Sequence, residues 1–216
     1  SFLRVSKMDI SREQTLNIGI LGGTFNPIHI GHMELAMKAL KQFNLDRVYI
    51  MPNNLPDYKE NHGIIEGRHR LAMADIACMG HEAILASDFE LKLSGYTYTA
   101  NTLTMLHEMY PLVHWYFIMG ADSIMYFEKW KKPEVIAGLA TLVITIRDDL
   151  DYSSLYEKIR ELEAIFSGID IQIARIDNIN VSSSEIRQGI KSGKDMSDSL
   201  PEGVYSYIMD NHLYQG

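Results

Sequence analysis

The chain has a single cysteine, Cys78, in 216 residues, so an intramolecular disulfide is excluded. That cysteine falls in a predicted helix, Arg68 to Met79, where a small apolar core residue is its ordinary role. Nowhere is there a run approaching the roughly 20 apolar residues of a membrane span, and Phe2-Leu3-Arg4-Val5 is too short and too polar for a secretory signal. The cytoplasm is therefore the expected compartment, with no membrane partner. Basic residues are also in deficit: 20 Lys and Arg against 28 Asp and Glu leave a net charge of −8. A general nucleic-acid binder would carry the opposite balance, although a local basic pocket can sit in an acidic protein. Two nucleotide motifs are missing. A P-loop needs G-x-x-x-x-G-K-[ST]. The dinucleotide fingerprint needs G-x-G-x-x-G followed by an acidic residue ending the second strand. Here the glycines are Gly19, Gly22 and Gly23, and the second strand ends Ile50-Met51-Pro52. P-loop hydrolysis and a redox dinucleotide are both disfavoured.

What is present is alternation. Leu16–Leu21, Arg47–Met51, Ala83–Ala86, Val113–Met119, Thr141–Ile146 and Ile169–Ile173 read as short apolar strands. Between them, apolar residues recur at helical spacing: from Leu35 to Phe43, over Arg68–Met79, over Thr99–Tyr110, and from Leu155 to Phe166. Gly120–Gly138 holds one or two short helices, and Ser182–Lys191 and Val204–Leu213 end the chain. This predicts one α/β domain, residues 16–216. Its core is a doubly wound, Rossmann-like, mostly parallel sheet of about six strands with helices on both faces. Residues 1–15 are a tail of unassigned status. Pro52–Gly67 is a long polar loop. Met105, Met109 and Met125 are expected in the core. His62, His69, His81, His107 and His114 have no metal-ligand pattern and are expected at the surface or in ordinary packing. Arg147 to Asp151 is expected to be a solvated loop, with Arg147 itself also placed where ligands bind.

The densest stretch is Gly22-Gly23-Thr24-Phe25-Asn26-Pro27-Ile28-His29-Ile30-Gly31-His32. It follows the first strand and opens a helix, at the carboxyl end of a strand, where ligands bind in such sheets. Paired glycines let backbone N–H groups approach a phosphate. His29 and His32 are three apart at a helix start, so they share one face and can reach one group together. One histidine there is ordinarily a cap or a packed residue; two after a glycine turn point to a ligand. Ser182-Ser183-Ser184 before Glu185 is a helix start, an N-cap and an anion site at once. Arg187 follows one helical turn later.

The stretch resembles the signature of the nucleotidyltransferases that share H-x-G-H. The same four letters occur in class I aminoacyl-tRNA synthetases, which are much longer and carry a lysine-rich second signature that is absent here. Further segments resemble bacterial nicotinate-nucleotide adenylyltransferases: Tyr98-Thr99-Ala100-Asn101-Thr102-Leu103; Gly120-Ala121-Asp122-Ser123 with Phe127 and Trp130; Val181 to Arg187; and Val204 to Ile208 with His212-Leu213-Tyr214. The resemblance spans about residues 16–214. It departs at Asn26 and Asn101, where that family has Asp, and at Pro56-Asp57-Tyr58-Lys59, where it has Pro-Pro-His-Lys.

The resemblance implies transfer of AMP from ATP to nicotinate mononucleotide, giving the dinucleotide and pyrophosphate. It implies His29, His32 and Arg187 as catalytic residues. ATP would be held by Gly22, Gly23, Thr24, Phe25, His29, His32, Gly120, Asp122, Ser182, Ser183 and Arg187. The acceptor would be held by Thr24, Lys59, Thr99, Trp130 and Lys131. Mg²⁺ is expected to be held mainly by ATP phosphates, with no protein metal cage. The alternatives are a sibling enzyme acting on nicotinamide mononucleotide or phosphopantetheine, and a non-catalytic nucleotide sensor. A homo-oligomer is compatible with the sequence, which does not fix the oligomeric state.

Overall fold

A computed structural model describes residues 8–55, 63–147, 151–177 and 179–216. Six strands form one sheet: β1 (Asn17–Gly23), β2 (Arg47–Pro52), β3 (Ile84–Ala86), β4 (His114–Gly120), β5 (Ala140–Arg147) and β6 (Ile171–Ile176). Every pair is parallel, and the order is β3-β2-β1-β4-β5-β6. The helices are α1 (Ile30–Gln42), α2 (Gly67–Cys78), α3 (Thr99–Met109), α4 (Ala121–Ile124), α5 (Pro133–Leu139), α6 (Ser153–Ile165), α7 (Ser183–Lys191) and α8 (Val204–Asp210).

Strand side chains alternate between two cores, because successive residues of a strand point to opposite faces. Leu21, Ile50, Ile118 and Val143 face α1, α2, α7 and α8. Ile18, Ile20, Trp115, Phe117, Leu142, Ile144 and Ile146 face α3 and α6. Both faces are covered, which explains the near-continuous apolar strands. Gly19 permits the close approach on the first face: a Cβ there would lie 3.0 Å from Leu45 Cδ1 and 3.1 Å from Val48 Cγ2. Strand order reverses between β1 and β4, so the crevice outside their carboxyl ends is where a ligand fits.

Two expectations are corrected. Gly22 and Gly23 are the last residues of β1, pairing with Met51 and Pro52, and the turn begins only at Thr24. Met105 and Met109 are exposed, not core. The buried stripe of α3 is Ala100, Thr102, Leu103 and Leu106, and the two methionines fall off it. Met125 does pack against the second core. Within the tail left unassigned by the sequence, Met8 is buried in that core, and the Met8 carbonyl accepts from Arg47 Nη1 at 2.9 Å and from the Tyr49 hydroxyl.

Leu142, on β5, is fully buried in the second core. Leu142→Ala should cost about 2–5 kcal/mol of unfolding free energy, while Met105→Ala should stay within about 0.5 kcal/mol. Urea titration of both variants measures the contrast; equal costs would contradict this burial.

Candidate functional site

The turn after β1 is built from unusual backbone. Phe25 has φ +50°, and the Asn26–Pro27 peptide is cis. Phe25 is buried and its ring lies against the strand end; a Cβ on Gly23 would come within 3.3 Å of it. The chain then enters α1 through His29, whose backbone is extended and whose side chain caps the helix. His29 Nδ1 accepts from Gly31 N at 3.0 Å, and His32 Nδ1 accepts from His29 N at 3.0 Å. This is a reciprocal capping box with two imidazoles in the places usually taken by Ser or Thr and Glu or Gln. The rings stack at 3.7 Å, and Phe25 meets His32 edge-on at 4.9 Å.

Capping fixes the chemistry of both rings. A neutral imidazole has one donor nitrogen and one acceptor. Since each Nδ1 accepts, each Nε2 carries the hydrogen. Burial, helped by the positive charge of Arg147, holds His29 down at about 4; burial and the neighbouring His29 hold His32 at about 3. Both are neutral at physiological pH and offer N–H donors rather than positive charge. Gly31 makes the arrangement possible: a Cβ there would lie 2.8 Å from His29 Cε1 and 2.9 Å from its Nδ1.

The second half of the site arrives from α7. Ser182 caps that helix by accepting from Glu185 N at 3.1 Å. Ser183 Oγ donates to the Pro27 carbonyl at 2.8 Å, and Arg187 Nη1 donates to the Asn26 carbonyl at 2.9 Å. The turn and α7 are thus joined directly. Between them and β5 opens a cleft of about 270 Å³, lined by His29, His32, Arg147, Ser182 and Ser183 among others. Its two carboxylates, Glu34 and Asp177, both face Lys38, at 3.7 and 3.5 Å. Among the described residues no group of three or more His, Cys, Asp or Glu could hold a metal ion. The cleft's free donors suit phosphate oxygens.

A second cleft, about 180 Å³, lies on the other side of β1. It is lined by Gly22, Gly23, Asn53, Glu90, Thr99 and Trp130, with Phe117 at its back. Trp130 meets Phe117 edge-on at 6.1 Å. Lys131 does not line this cleft; its Nζ lies 4.2 Å from the centre of the Tyr98 ring.

The structure thus brings together His29, His32, Ser182 and Ser183 around one cleft, and Gly22, Gly23, Thr99 and Trp130 around the other. Arg187 lines neither cleft and is bonded to the Asn26 carbonyl of the turn. Thr24 and Phe25 line neither cleft and lie in the turn between Gly23 of one and His29 of the other. Gly120 and Asp122 are exposed at the carboxyl end of β4 and line neither cleft. Lys59 lies outside the described residues, as do His62 and residues 148–150. Arg147, which ends β5, lines the first cleft. His69 pairs with the Tyr207 hydroxyl at 2.7 Å and His114 with Thr141 at 2.8 Å, both away from the site.

Sequence reading missed three residues. Asn26 is buried and fully bonded: Nδ2 donates to the Gly63 carbonyl at 2.7 Å, and Oδ1 accepts from Ile65 N at 3.2 Å and the Tyr214 hydroxyl at 2.7 Å. It had been read only as a departure from a family pattern. Arg70, 2% exposed, donates to the carbonyls of Ile65, Thr24 and Asn53. It looked like one more polar residue of a helix; a charge buried in an amphipathic helix leaves no periodic signal. Glu90, buried in the wall of the second cleft, lay in a segment with no motif.

Gly31→Ala should displace the His29 ring and lower turnover about 100-fold, the scale of a 1 Å misplacement. Helix stability should change little, since Ala gains about 1 kcal/mol over Gly and losing the cap costs a similar amount. Turnover and thermal melting measured together test this; full activity would contradict the cap.

A cytidylyltransferase-like family model matches residues 20–189. A protein of Lachnoclostridium phytofermentans named "Probable nicotinate-nucleotide adenylyltransferase" is 38% identical over 91% of this chain and 98% of its own length. Relatives with the same name from Shewanella pealeana and Clostridium botulinum are 37% and 36% identical, each over 93% of this chain and 97% and 100% of their own lengths. Among solved structures, Plasmodium falciparum nicotinic acid mononucleotide adenylyltransferase complexed with NaAD superposes with a TM-score of 0.73 at 23% identity, covering 92% of this chain and 97% of that one. At that identity the likeness is one of fold. The reciprocal histidine cap, the serine-led α7 and the matched sequences agree: the chain belongs to the cytidylyltransferase-like family, among the nicotinate-nucleotide adenylyltransferases.

Proposed function

We propose that this enzyme transfers the adenylyl group of ATP to the phosphate of nicotinate mononucleotide. A phosphate oxygen of the mononucleotide attacks the α-phosphorus. The bond from that phosphorus to the oxygen bridging the α- and β-phosphates breaks, and pyrophosphate leaves with the electron pair. The products are nicotinate adenine dinucleotide and pyrophosphate. The nucleophile is already anionic, so no general base is required. Catalysis reduces to alignment and to stabilising charge on the leaving group.

The observation that carries this reading is the pair of clefts joined by one turn, Gly22 and Gly23 lining one and His29 and His32 the other. We assign ATP to the cleft with His29, His32, Ser182 and Ser183. The two Nε2–H groups donate to phosphate oxygens as charge builds there, and the N-terminus of α7 adds its unpaired N–H groups. Gly22 and Gly23 line the acceptor cleft, so their backbone serves ATP only through the turn they lead into, and we assign the ribose to Gly120 and Asp122 at the carboxyl end of β4, which line neither cleft. Arg187 supplies positive charge while its bond to the Asn26 carbonyl holds the turn. The acceptor takes the other cleft. We assign its pyridine ring to Trp130, its carboxylate to the backbone N–H groups near Thr99 and Lys131, and its phosphate to Thr24 and to Lys59, which lies outside the described residues. Magnesium belongs to the nucleotide substrate, bound chiefly by its phosphates, where it neutralises their charge. The relatives' shared name supports this choice of acceptor. We place the reaction in the cytoplasm.

Pyrophosphate release from ATP and Mg²⁺, assayed with nicotinate mononucleotide, nicotinamide mononucleotide and phosphopantetheine in turn, tests the proposal. Release is expected with the first and weaker or absent with the others. Release only with another acceptor would overturn the assignment, and release with none would favour a nucleotide sensor. His32→Ala should lower turnover about 10²- to 10³-fold, as loss of one preorganised donor does. It should cost only about 1 kcal/mol of stability, the value of a cap.

A further inference from the structure

The acceptor cleft contains a buried carboxyl group that the mechanism above leaves unused. Glu90 is 8% exposed and begins a 3₁₀ turn (Glu90–Lys92) after β3. It lines the same cleft as Thr99 and Trp130, and it is the only ionisable side chain among the described residues lining it. The groups around it are neutral. Asn53 comes from the end of β2, Thr97, Thr99 and Thr102 from the start of α3, and Phe117 and Trp130 from the far wall. On its own segment, Asp88 and Lys92 pair with each other at 2.9 Å. Arg70 reaches only the other side of Asn53, where Nη1 meets Oδ1 at 3.3 Å. No charged side chain among the described residues offsets the burial of this carboxyl.

Two hydroxyls lie beside the carboxyl: Thr97 and Thr102 both line the cleft, and Thr102 is 4% exposed. Burial pushes Glu90 up to about 7, and the hydroxyls of Thr97 and Thr102 work against that shift.

We propose that Glu90 is a specificity-determining residue that reads the substituent on the acceptor's pyridine ring, donating a hydrogen bond to the nicotinate carboxylate when neutral and repelling that carboxylate when ionised. The role rests on the acceptor assignment made above. It adds a side chain that distinguishes acid from amide, and it makes that distinction depend on pH. The proton is conserved: at alkaline pH, binding of the acid draws one proton from solvent onto Glu90, and binding of the amide draws none. The sign is fixed by the carboxyl's raised value. Below about 7 the group is neutral and admits the acid; above it the group is charged and discriminates against the acid.

The test is KM for nicotinate mononucleotide and for nicotinamide mononucleotide, measured from pH 6 to pH 9. Both acceptors share a phosphate whose second ionisation lies near pH 6, about equally for each, so the ratio of the two KM values isolates the ring substituent. The ratio of acid to amide should rise about tenfold between pH 6 and pH 8, the ionisation expected of one group titrating near 7. Glu90→Gln should flatten it. A ratio constant over the range, or the same slope in Glu90→Gln, would overturn the role. Calorimetry of the unmodified enzyme in two buffers of different ionisation enthalpy needs no variant. At pH 8 nearly one proton should be taken up per nicotinate mononucleotide bound, and uptake of none would overturn the proposal. No turnover with the acid at any pH, alongside turnover with another acceptor, would instead overturn the acceptor assignment, and Glu90's role with it.

Discussion

Two hydrogen bonds to imidazole nitrogens organise this molecule's chemistry. A helix start leaves backbone N–H groups without partners, and here His29 and His32 satisfy two of them reciprocally. That use of Nδ1 decides the tautomer, and the tautomer decides that both outward nitrogens are donors. Structural and functional readings of the pair are therefore not rivals. The cap is the device that aims the donors, and burial, by keeping both rings neutral, ensures that the acceptor nitrogen stays available to the cap.

The rest of the site is fastened to that turn from a distance in sequence. Ser183 and Arg187 hold the Pro27 and Asn26 carbonyls, and Arg70 holds those of Thr24, Asn53 and Ile65. Most of these contacts are cation or hydroxyl to carbonyl. A guanidinium that spends its donors on backbone oxygens remains positive, so the turn is both rigid and favourable to anions. On the function proposed above, neutral histidines would meet the leaving group while fixed positive charge stands behind them, dividing the work between hydrogen bonding and long-range field.

The strands, most helices and the location of the site were legible in the sequence because apolar periodicity and the glycine–histidine turn are local signals. The two clefts were legible only as separate motifs; that Thr99 and Trp130 line one with Gly22 and Gly23, while Ser182 and Ser183 line the other with His29 and His32, is a product of the fold. What escaped was of another kind. Met105 and Met109 are apolar yet face outward, because composition does not tell which side of a helix is covered. Asn26 read as a lost carboxylate. In the fold it must donate to Gly63 while accepting from Ile65 and Tyr214, and only an amide does both. Glu90 and Arg70 carry no periodic or spacing signal, since a buried charge is recognisable only once its surroundings are known.

Asn26 has one further implication, and it concerns time. Its third partner, Tyr214, is 188 residues away along the chain. During synthesis the first strand, its turn and the histidine cap emerge early, yet the turn's hydrogen bonds stay incomplete until residue 214 has cleared the ribosome. The histidine-capped turn is thus among the first parts made and the last to be finished, and a nascent chain carries its signature long before the turn is complete.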